Sequence, residues 1–194
     1  MKTRKHHNNK AYRRIKRGWT QLSLKKIARK LRVPYGKSKK QVMKPEKFIS
    51  GGQTGADQAG LFAARTLGIE TGGWIPKGWL VQTPEGKDIS NPSLEEFGLK
   101  EHHSSRYSDR TKQNVLDADA TVWFGYKDSA GGRLTIATAR EHSKPYIINP
   151  TPEELRAFVK NLNVRVLNVA GNRISSYNPT IYETTYATLI EVFC

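Results

Sequence analysis

Phe48-Ile49-Ser50-Gly51-Gly52-Gln53-Thr54-Gly55-Ala56-Asp57 is the most informative segment of this 194-residue chain. A short apolar run ends in a cluster of small residues, and apolar residues then recur at helical spacing up to Leu67. A strand, a glycine turn and a helix in this order point backbone N–H groups and a helix N-terminus at an anion. The stretch therefore predicts a phosphate-binding turn, with Thr54 or Asp57 as the helix cap.

The turn matches neither of the two best-known nucleotide fingerprints, because it reads neither Gly-x-Gly-x-x-Gly nor Gly-x4-Gly-Lys-Ser/Thr. A glycine pair alone also occurs in many turns that bind nothing, so the interpretation depends on the rest of the chain. Four further blocks come in order after the turn: Gly72–Gly78, Arg110–Val115, Gly131–Thr135 and Leu167–Gly171.

Together the five blocks resemble the molybdenum cofactor carrier family, a Rossmann-like branch of the nucleotide-binding superfamily that also holds the Lonely Guy phosphoribohydrolases. The resemblance covers residues 47–194. It implies a domain that binds a phosphorylated, nucleotide-like small molecule, with molybdenum cofactor or a nucleotide as the expected ligand.

Apolar strands alternate with helical patterns through the same region, which predicts an α/β fold with a parallel sheet covered by helices on both faces. Residues 72–99 contain no sustained period and are expected to be loop-rich. Helices are expected over residues 54–67, 107–117, 132–142 and 179–193, and a capping box with proline predicts another from Thr151. We expect each glycine-rich block to follow a strand, so that all of them meet at the carboxyl edge of the sheet.

The glycines of the two main turns are expected to present N–H groups to a phosphate, Lys77 to supply a point charge and Trp74 to stack on a flat heterocycle. The expected ligand-binding residues are Gly51, Gly52, Gln53, Thr54, Gly55, Asp57, Trp74, Lys77, Arg110, Asn114, Gly131, Gly132, Thr135 and Asn168. Each has an ordinary alternative: tight turns for the glycines, a surface lysine, a core tryptophan, and bracing or loop-shaping roles for Arg110, Asn114 and Asn168.

Asp57 is the candidate catalytic residue, because it borders the predicted phosphate turn. Lonely Guy enzymes carry Pro-Gly-Gly-x-Gly-Thr-x-x-Glu where this chain has Ala130 to Thr138, so the glutamate is replaced by Thr138. This substitution favours binding over hydrolysis, although a nucleotide hydrolase or phosphoribosyl-processing enzyme remains the alternative. We expect no metal site, because the pair His102-His103 has no accompanying ligand motif.

The first 47 residues carry a charge of +17, whereas residues 48–194 carry −1. We therefore divide the chain into a basic extension, residues 1–46, and a Rossmann-like domain, residues 47–194. About residues 20–43, helical spacing and a Pro-Gly break weakly resemble a SAP-type or helix-turn-helix element; a solvated basic arm is the alternative. The charge favours nucleic acid, and the expected contacts are Arg13, Arg14, Lys16, Arg17, Lys25, Lys26, Arg29, Lys30, Lys37, Lys39 and Lys40. A third interpretation makes the domain a passive scaffold that this extension anchors to DNA or RNA.

Cys194 is the single cysteine of the sequence, so an intramolecular disulfide is excluded. No apolar run approaches the roughly 18 residues of a membrane span, and the N-terminus lacks the apolar core of a secretory signal. We expect a soluble, intracellular protein with no membrane partner. A homo-oligomer is left open.

Overall fold

The computed structural model describes residues 43–194. The predicted helical element at about residues 20–43, apart from its last residue, and all eleven expected nucleic-acid contacts lie outside this range. The division at residue 46 stays a prediction.

A six-stranded sheet forms the centre of the described domain. Its strands are β1 (Lys47–Ile49), β2 (Glu70–Ile75), β5 (Leu99–Glu101), β6 (Ala120–Phe124), β7 (Tyr146–Ile148) and β8 (Val166–Gly171). They lie in the order β5-β2-β1-β8-β6-β7, and every neighbouring pair is parallel. A separate antiparallel hairpin joins β3 (Leu80–Gln82) to β4 (Asp88–Ser90).

Five helices surround this sheet in residues 43–194: α1 (Ala56–Leu67), α2 (Tyr107–Asp117), α3 (Ala130–Glu141), α4 (Pro152–Asn161) and α5 (Ile181–Phe193). Helices α1 and α4 pack against α5, while α2 packs against α3. The predicted Rossmann-like α/β fold is confirmed. The predicted capping box is also present, since Thr151 Oγ1 accepts the N–H of Glu154 and the Glu154 carboxylate accepts the N–H of Thr151.

The main core lies between the sheet and the group of α1, α4 and α5. Fully buried side chains of β1, β6 and β8 meet those of the helices there, and Phe48 contacts Phe193 edge to face. A smaller core contains Leu61 of α1, Ile75 of β2, Leu99 of β5, and Leu94 and Phe97 of a 3-10 helix that spans Pro92–Phe97. The hairpin contributes Val81 to this smaller core, which fixes the hairpin beside β2.

The region 72–99 is more regular than the sequence indicated. It contains most of β2, the hairpin, the 3-10 helix and the start of β5. The block at Gly72 lies inside β2 rather than after a strand, so the expectation that every glycine block follows a strand was wrong here. The reason is close packing: a Cβ on Gly73 would lie 2.2 Å from the carbonyl oxygen of Ser50 in the neighbouring chain segment.

The chain changes direction across the sheet at β8. The β1-α1-β2 unit proceeds toward one edge, the β6-α3-β7 unit proceeds toward the other, and β8 lies between β1 and β6. Ligands of open parallel sheets bind outside the carboxyl ends of the strands at such a reversal. The topology therefore places the candidate site at the ends of β1, β8 and β6.

Candidate functional site

A small cleft opens at the carboxyl ends of these three strands. Its enclosed volume is about 50 Å³, and it is lined by Gly51, Asp57, Arg110, Thr111, Asn114, Trp123, Gly131, Thr135, Asn168, Ala170 and Gly171. Clefts that take a whole drug-sized ligand measure roughly 300–1,000 Å³. The enclosed part thus has room for one compact chemical group, and the rest of any larger ligand would extend toward solvent.

An ion pair forms one wall of the cleft. Arg110 Nη1 lies 3.4 Å from Asp57 Oδ2, and the exposed fractions of the two side chains are 11% and 4%. The guanidinium lies directly on the backbone of Gly51, because a Cβ at that position would be 1.8 Å from Arg110 Nη1. Glycine is therefore required at position 51 for Arg110 to reach Asp57.

The Asp57 carboxylate faces the turn between β1 and α1, here called the first glycine turn (residues 51–55). It accepts the N–H of Gln53 at 3.2 Å. Burial raises the pKa of Asp57, against the lowering effects of Arg110 and of the N–H groups of Gln53, Gly171 and Gly51. The turn thus directs its backbone donors at a carboxylate of the protein itself.

Other polar groups of the first glycine turn hold neighbouring segments. Gln53 Oε1 accepts the N–H groups of Thr54 and Gln82, and Thr54 Oγ1 donates to the carbonyl of Gln82. Gln53 and Thr54 therefore attach the β3–β4 hairpin to the turn. Neither proposed side-chain cap is present: Gly55 is the N-cap of α1, and no side chain accepts from its first turn. Thr54 bonds to the hairpin instead, and Asp57 to Gln53.

The second glycine turn (residues 129–132) follows β6 and starts α3. Ser129 is the N-cap, and its Oγ accepts the N–H of Gly132 at 3.1 Å. A Cβ on Gly132 would meet the carbonyl oxygen of Lys127 at 2.2 Å, so this glycine permits a close backbone approach. Gly131, in contrast, lines the cleft, and a Cβ there would contact only the Trp123 ring, at 3.6 Å.

Three side chains of the cleft carry buried polar atoms with no hydrogen-bond partner in residues 43–194. These atoms are Arg110 Nε, Trp123 Nε1 and Thr135 Oγ1. The first two are donors and the third can donate. Buried polar groups are normally paired, so a cluster of unpaired donors in one cleft indicates a place for an acceptor.

Three expected ligand residues, Asn114, Trp74 and Asn168, make structural contacts within the protein. Asn114 binds both backbone groups of Trp74: its Oδ1 accepts the N–H at 2.9 Å and its Nδ2 donates to the carbonyl at 3.0 Å. This pair of bonds holds α2 against β2, which agrees with the bracing role given above as the alternative for Asn114. The Trp74 indole donates to Asp117 at 2.7 Å. Asn168 Nδ2 donates to Thr121 Oγ1 at 3.2 Å, although Asn168 also lines the cleft.

The cleft brings together seven of the fourteen expected ligand residues: Gly51, Asp57, Arg110, Asn114, Gly131, Thr135 and Asn168. The other seven do not line it: Gly52, Gln53, Thr54, Gly55, Trp74, Lys77 and Gly132. Gly52 lies against the smaller core, since its Cβ would contact Leu99, Ile75 and Leu94.

The sequence interpretation missed Trp123 as a lining residue. All five residues of β6 are buried. In a strand that is buried on both faces, apolar residues occupy every position, so the pattern gave no sign of which one borders a ligand. Only the strand order, which places the end of β6 beside β8, identifies Trp123 as part of the cleft.

Asp57 is the one carboxylate among the lining residues. Thr138, which stands in place of the hydrolase glutamate, donates its hydroxyl to the carbonyl of Leu134 at 2.8 Å and is buried within α3. Residues 43–194 contain no cluster of three or more His, Cys, Asp or Glu side chains arranged to hold a metal ion. No helix in this part of the chain is long and apolar enough to cross a membrane.

Comparison with known proteins agrees with this architecture. A solved structure from Syntrophus aciditrophicus, named "putative molybdenum carrier protein", is 36% identical to this chain, with a TM-score of 0.64 over 77% of this chain and 94% of the other. No curated protein matches the sequence significantly. The model of the circularly permutated YpsA SLOG family matches residues 48–193. The chain therefore belongs to the circularly permutated YpsA SLOG family.

Proposed function

We propose that the cleft at the ends of β1, β8 and β6 binds a phosphorylated, nucleotide-like small molecule. The observation that carries the proposal is the convergence of Arg110, the unpaired donors and Gly131 at the reversal point of the sheet. A cation, hydrogen-bond donors and a helix N-terminus all favour an anionic group. The related protein from Syntrophus aciditrophicus, which is named as a molybdenum carrier, supports the same class of ligand.

Molybdenum cofactor is a candidate within this class. The unpaired donors and the small enclosed volume fit a phosphate group, which this cofactor shares with nucleotides. Arg110, Thr135 and the N–H of Gly131 would hold that phosphate, and the ring system would lie outside the enclosed part. Bound in this way, the cofactor would be cargo whose metal is held by its own pterin.

A nucleotide hydrolase is the alternative, with Asp57 as its acid or base. The contacts of Asp57 favour a positioning role, because its carboxylate is paired with Arg110 and accepts the N–H of Gln53. No second carboxylate lines the cleft to share the proton transfers. We therefore expect release of free base from nucleoside monophosphates to be absent or very slow, which chromatography of reaction mixtures would check.

Native mass spectrometry of the purified protein, followed by calorimetric titration with AMP, tests the binding proposal. Gly131→Leu should abolish AMP binding, because the new side chain extends from a position that lines the cleft. Ala137→Leu is the matched control, since it adds the same side chain to an exposed position of α3. Equal AMP affinity in both variants, or no co-purified molecule and no binding by the unaltered protein, would refute the site.

We also propose that residues 1–46 bind nucleic acid, a proposal that rests on the charge of +17 carried by residues 1–47. Each neutralised phosphate releases counterions, so the affinity should fall steeply with salt. Titration of duplex and single-stranded oligonucleotides against the full chain and a variant that begins at Lys47 would test this. Equal binding by the shortened chain would show that the extension is not the contact surface.

A further inference from the structure

Trp123 lies in the last but one position of β6 and is one of the residues that line the cleft. Its exposed fraction is 3%, and its Nε1 is buried with no hydrogen-bond partner in the described domain. The indole N–H of Trp74, in contrast, has an acceptor, because it donates to the Asp117 carboxylate at 2.7 Å. Trp123 therefore has a donor that nothing in residues 43–194 uses.

An unused buried donor costs free energy. Phenylalanine would keep an aromatic ring in the strand without this cost, as Phe124 does at the next position. The presence of tryptophan, with its indole N–H, at position 123 is explained if a ligand supplies the acceptor. Two other residues of the same cleft, Arg110 and Thr135, also carry an unpaired buried atom, Nε and Oγ1 respectively, and these atoms would share that acceptor group.

The chemistry of these three groups favours an oxyanion. A guanidinium N–H, an indole N–H and a hydroxyl can each donate to a different oxygen of one tetrahedral group. A neutral base edge, which presents donors as well as acceptors, would leave some of these donors unpaired. The enclosed volume of about 50 Å³ also suits one compact group better than a ring system.

We propose that Trp123 is a ligand-binding residue whose indole N–H donates to an oxygen of the ligand's phosphate group. The assignment rests on the proposed function, because it names a recognition contact within the same cleft. It adds a donor from the strand β6 to those from the helices α2 and α3. The phosphate would then be held from three elements at once.

A direct test follows the indole N–H resonances of the unaltered, 15N-labelled protein by NMR while ligand is added. The probes are inorganic phosphate, AMP and adenosine, and the Trp123 resonance is assigned by its disappearance in Trp123→Phe. We expect phosphate and AMP to shift the Trp123 resonance downfield while the Trp74 resonance stays fixed. A Trp123 resonance that does not move at saturating AMP overturns the proposal, and an equal shift with adenosine overturns the phosphate assignment.

Affinity and stability measured on matched variants add a second test. Trp123→Phe should weaken AMP binding about 10- to 100-fold, the loss expected for a hydrogen bond to a charged group. Its urea midpoint should fall only slightly, because the removal of an unused donor offsets part of the cost of the smaller ring. Thr135→Val should behave likewise. Trp74→Phe and Thr138→Val, whose polar atoms are paired within the protein, should lose stability instead and keep their affinity.

The outcomes separate this proposal from the proposed function. If AMP binds the unaltered protein and Trp123→Phe equally well, the Trp123 contact is wrong and the binding function stands. If neither AMP nor phosphate binds the unaltered protein, both are wrong.

Discussion

The two glycine turns look alike in the sequence but differ in what their donors face. In the first turn, the carboxylate of Asp57 accepts a backbone N–H, and Asn172 accepts another from Ala56 at 3.2 Å. In the second turn, Ser129 engages the N–H of Gly132, and Gly131 remains beside the cleft. Both turns border the cleft, the first through Gly51 and the second through Gly131. The side chain of Arg110 occupies the space beside Gly51, whereas the space beside Gly131 is open to a ligand.

A glycine pair therefore predicts a close approach to the backbone, and the group that approaches determines the role of the turn. At Gly51 the approaching group is the guanidinium of Arg110, and at Gly132 it is the carbonyl of Lys127. At Gly131 only the edge of Trp123 is near. A turn that binds an internal partner stabilises the fold, and a turn with open space can bind ligand.

The largest expected effect tests this contrast through stability. Gly55 has a φ of +95°, and a Cβ there would lie 2.5 Å from the backbone oxygen of Asn172. Gly55→Val should lower the free energy of unfolding by about 4 kcal/mol, since backbone strain and overpacking add. Gly131→Ala should change it by less than about 1 kcal/mol, toward greater stability. Urea denaturation measures both, and similar losses in the two variants would contradict the distinction between the turns.

Much of the fold could be predicted from the sequence, because long periodic segments specify their own structure. The boundaries of α2 and the capping box of α4 agree with the expected ones. Strand β2 could not be predicted, since its glycines are explained by contacts with distant residues. A Cβ on Gly73 would lie 2.2 Å from the backbone oxygen of Ser50, and a Cβ on Gly72 would meet the flexible end of the Lys47 side chain at 2.8 Å.

The candidate site could be predicted only in part, for a related reason. Seven of the expected residues line the cleft because a parallel sheet brings the loops after its strands to one edge. The sequence does not show which direction each side chain takes within a loop. Gln53 and Thr54 form hydrogen bonds with Gln82, which lies twenty-nine and twenty-eight positions away. No local sequence pattern predicts this contact with the hairpin.

The second prediction concerns the ion pair that fills the first turn. Arg110→Met should lower the free energy of unfolding by about 3 kcal/mol near neutral pH, because Asp57 is then buried without its cation. The loss should be smaller at acid pH. Burial already raises the pKa of Asp57 above its ordinary value of 3.8, and removal of the Arg110 charge, which lowers it, should raise it further.

The sign of the pH dependence follows from that raised pKa. The folded state holds the Asp57 proton more tightly than the unfolded state, so the stability from this group is complete below the unfolded pKa. It is lost as the pH rises through the folded pKa. Urea denaturation of Arg110→Met from pH 4.5 to 8 should show this decline, and the double variant Asp57→Asn/Arg110→Met should lack it. Parallel profiles in the two variants would show that Asp57 is not the group responsible.

The smallest expected effect concerns the link between the two turns. Asn172 accepts the N–H of Ala56 through its backbone oxygen, and its side-chain amide donates to Ser129 Oγ at 3.0 Å. Ser129→Ala and Asn172→Ala should each destabilise the protein, and the double variant should lose about 1 kcal/mol less than the sum, because the two side chains share one hydrogen bond. Thr151 is the matched control, since it caps α4 with the same kind of bond but does not touch Asn172. Thr151→Ala and Asn172→Ala should therefore be additive in urea denaturation. Additivity in the Ser129 cycle as well would mean that the hydrogen bond between Ser129 and Asn172 does not stabilise the protein, and that the two glycine turns are held independently.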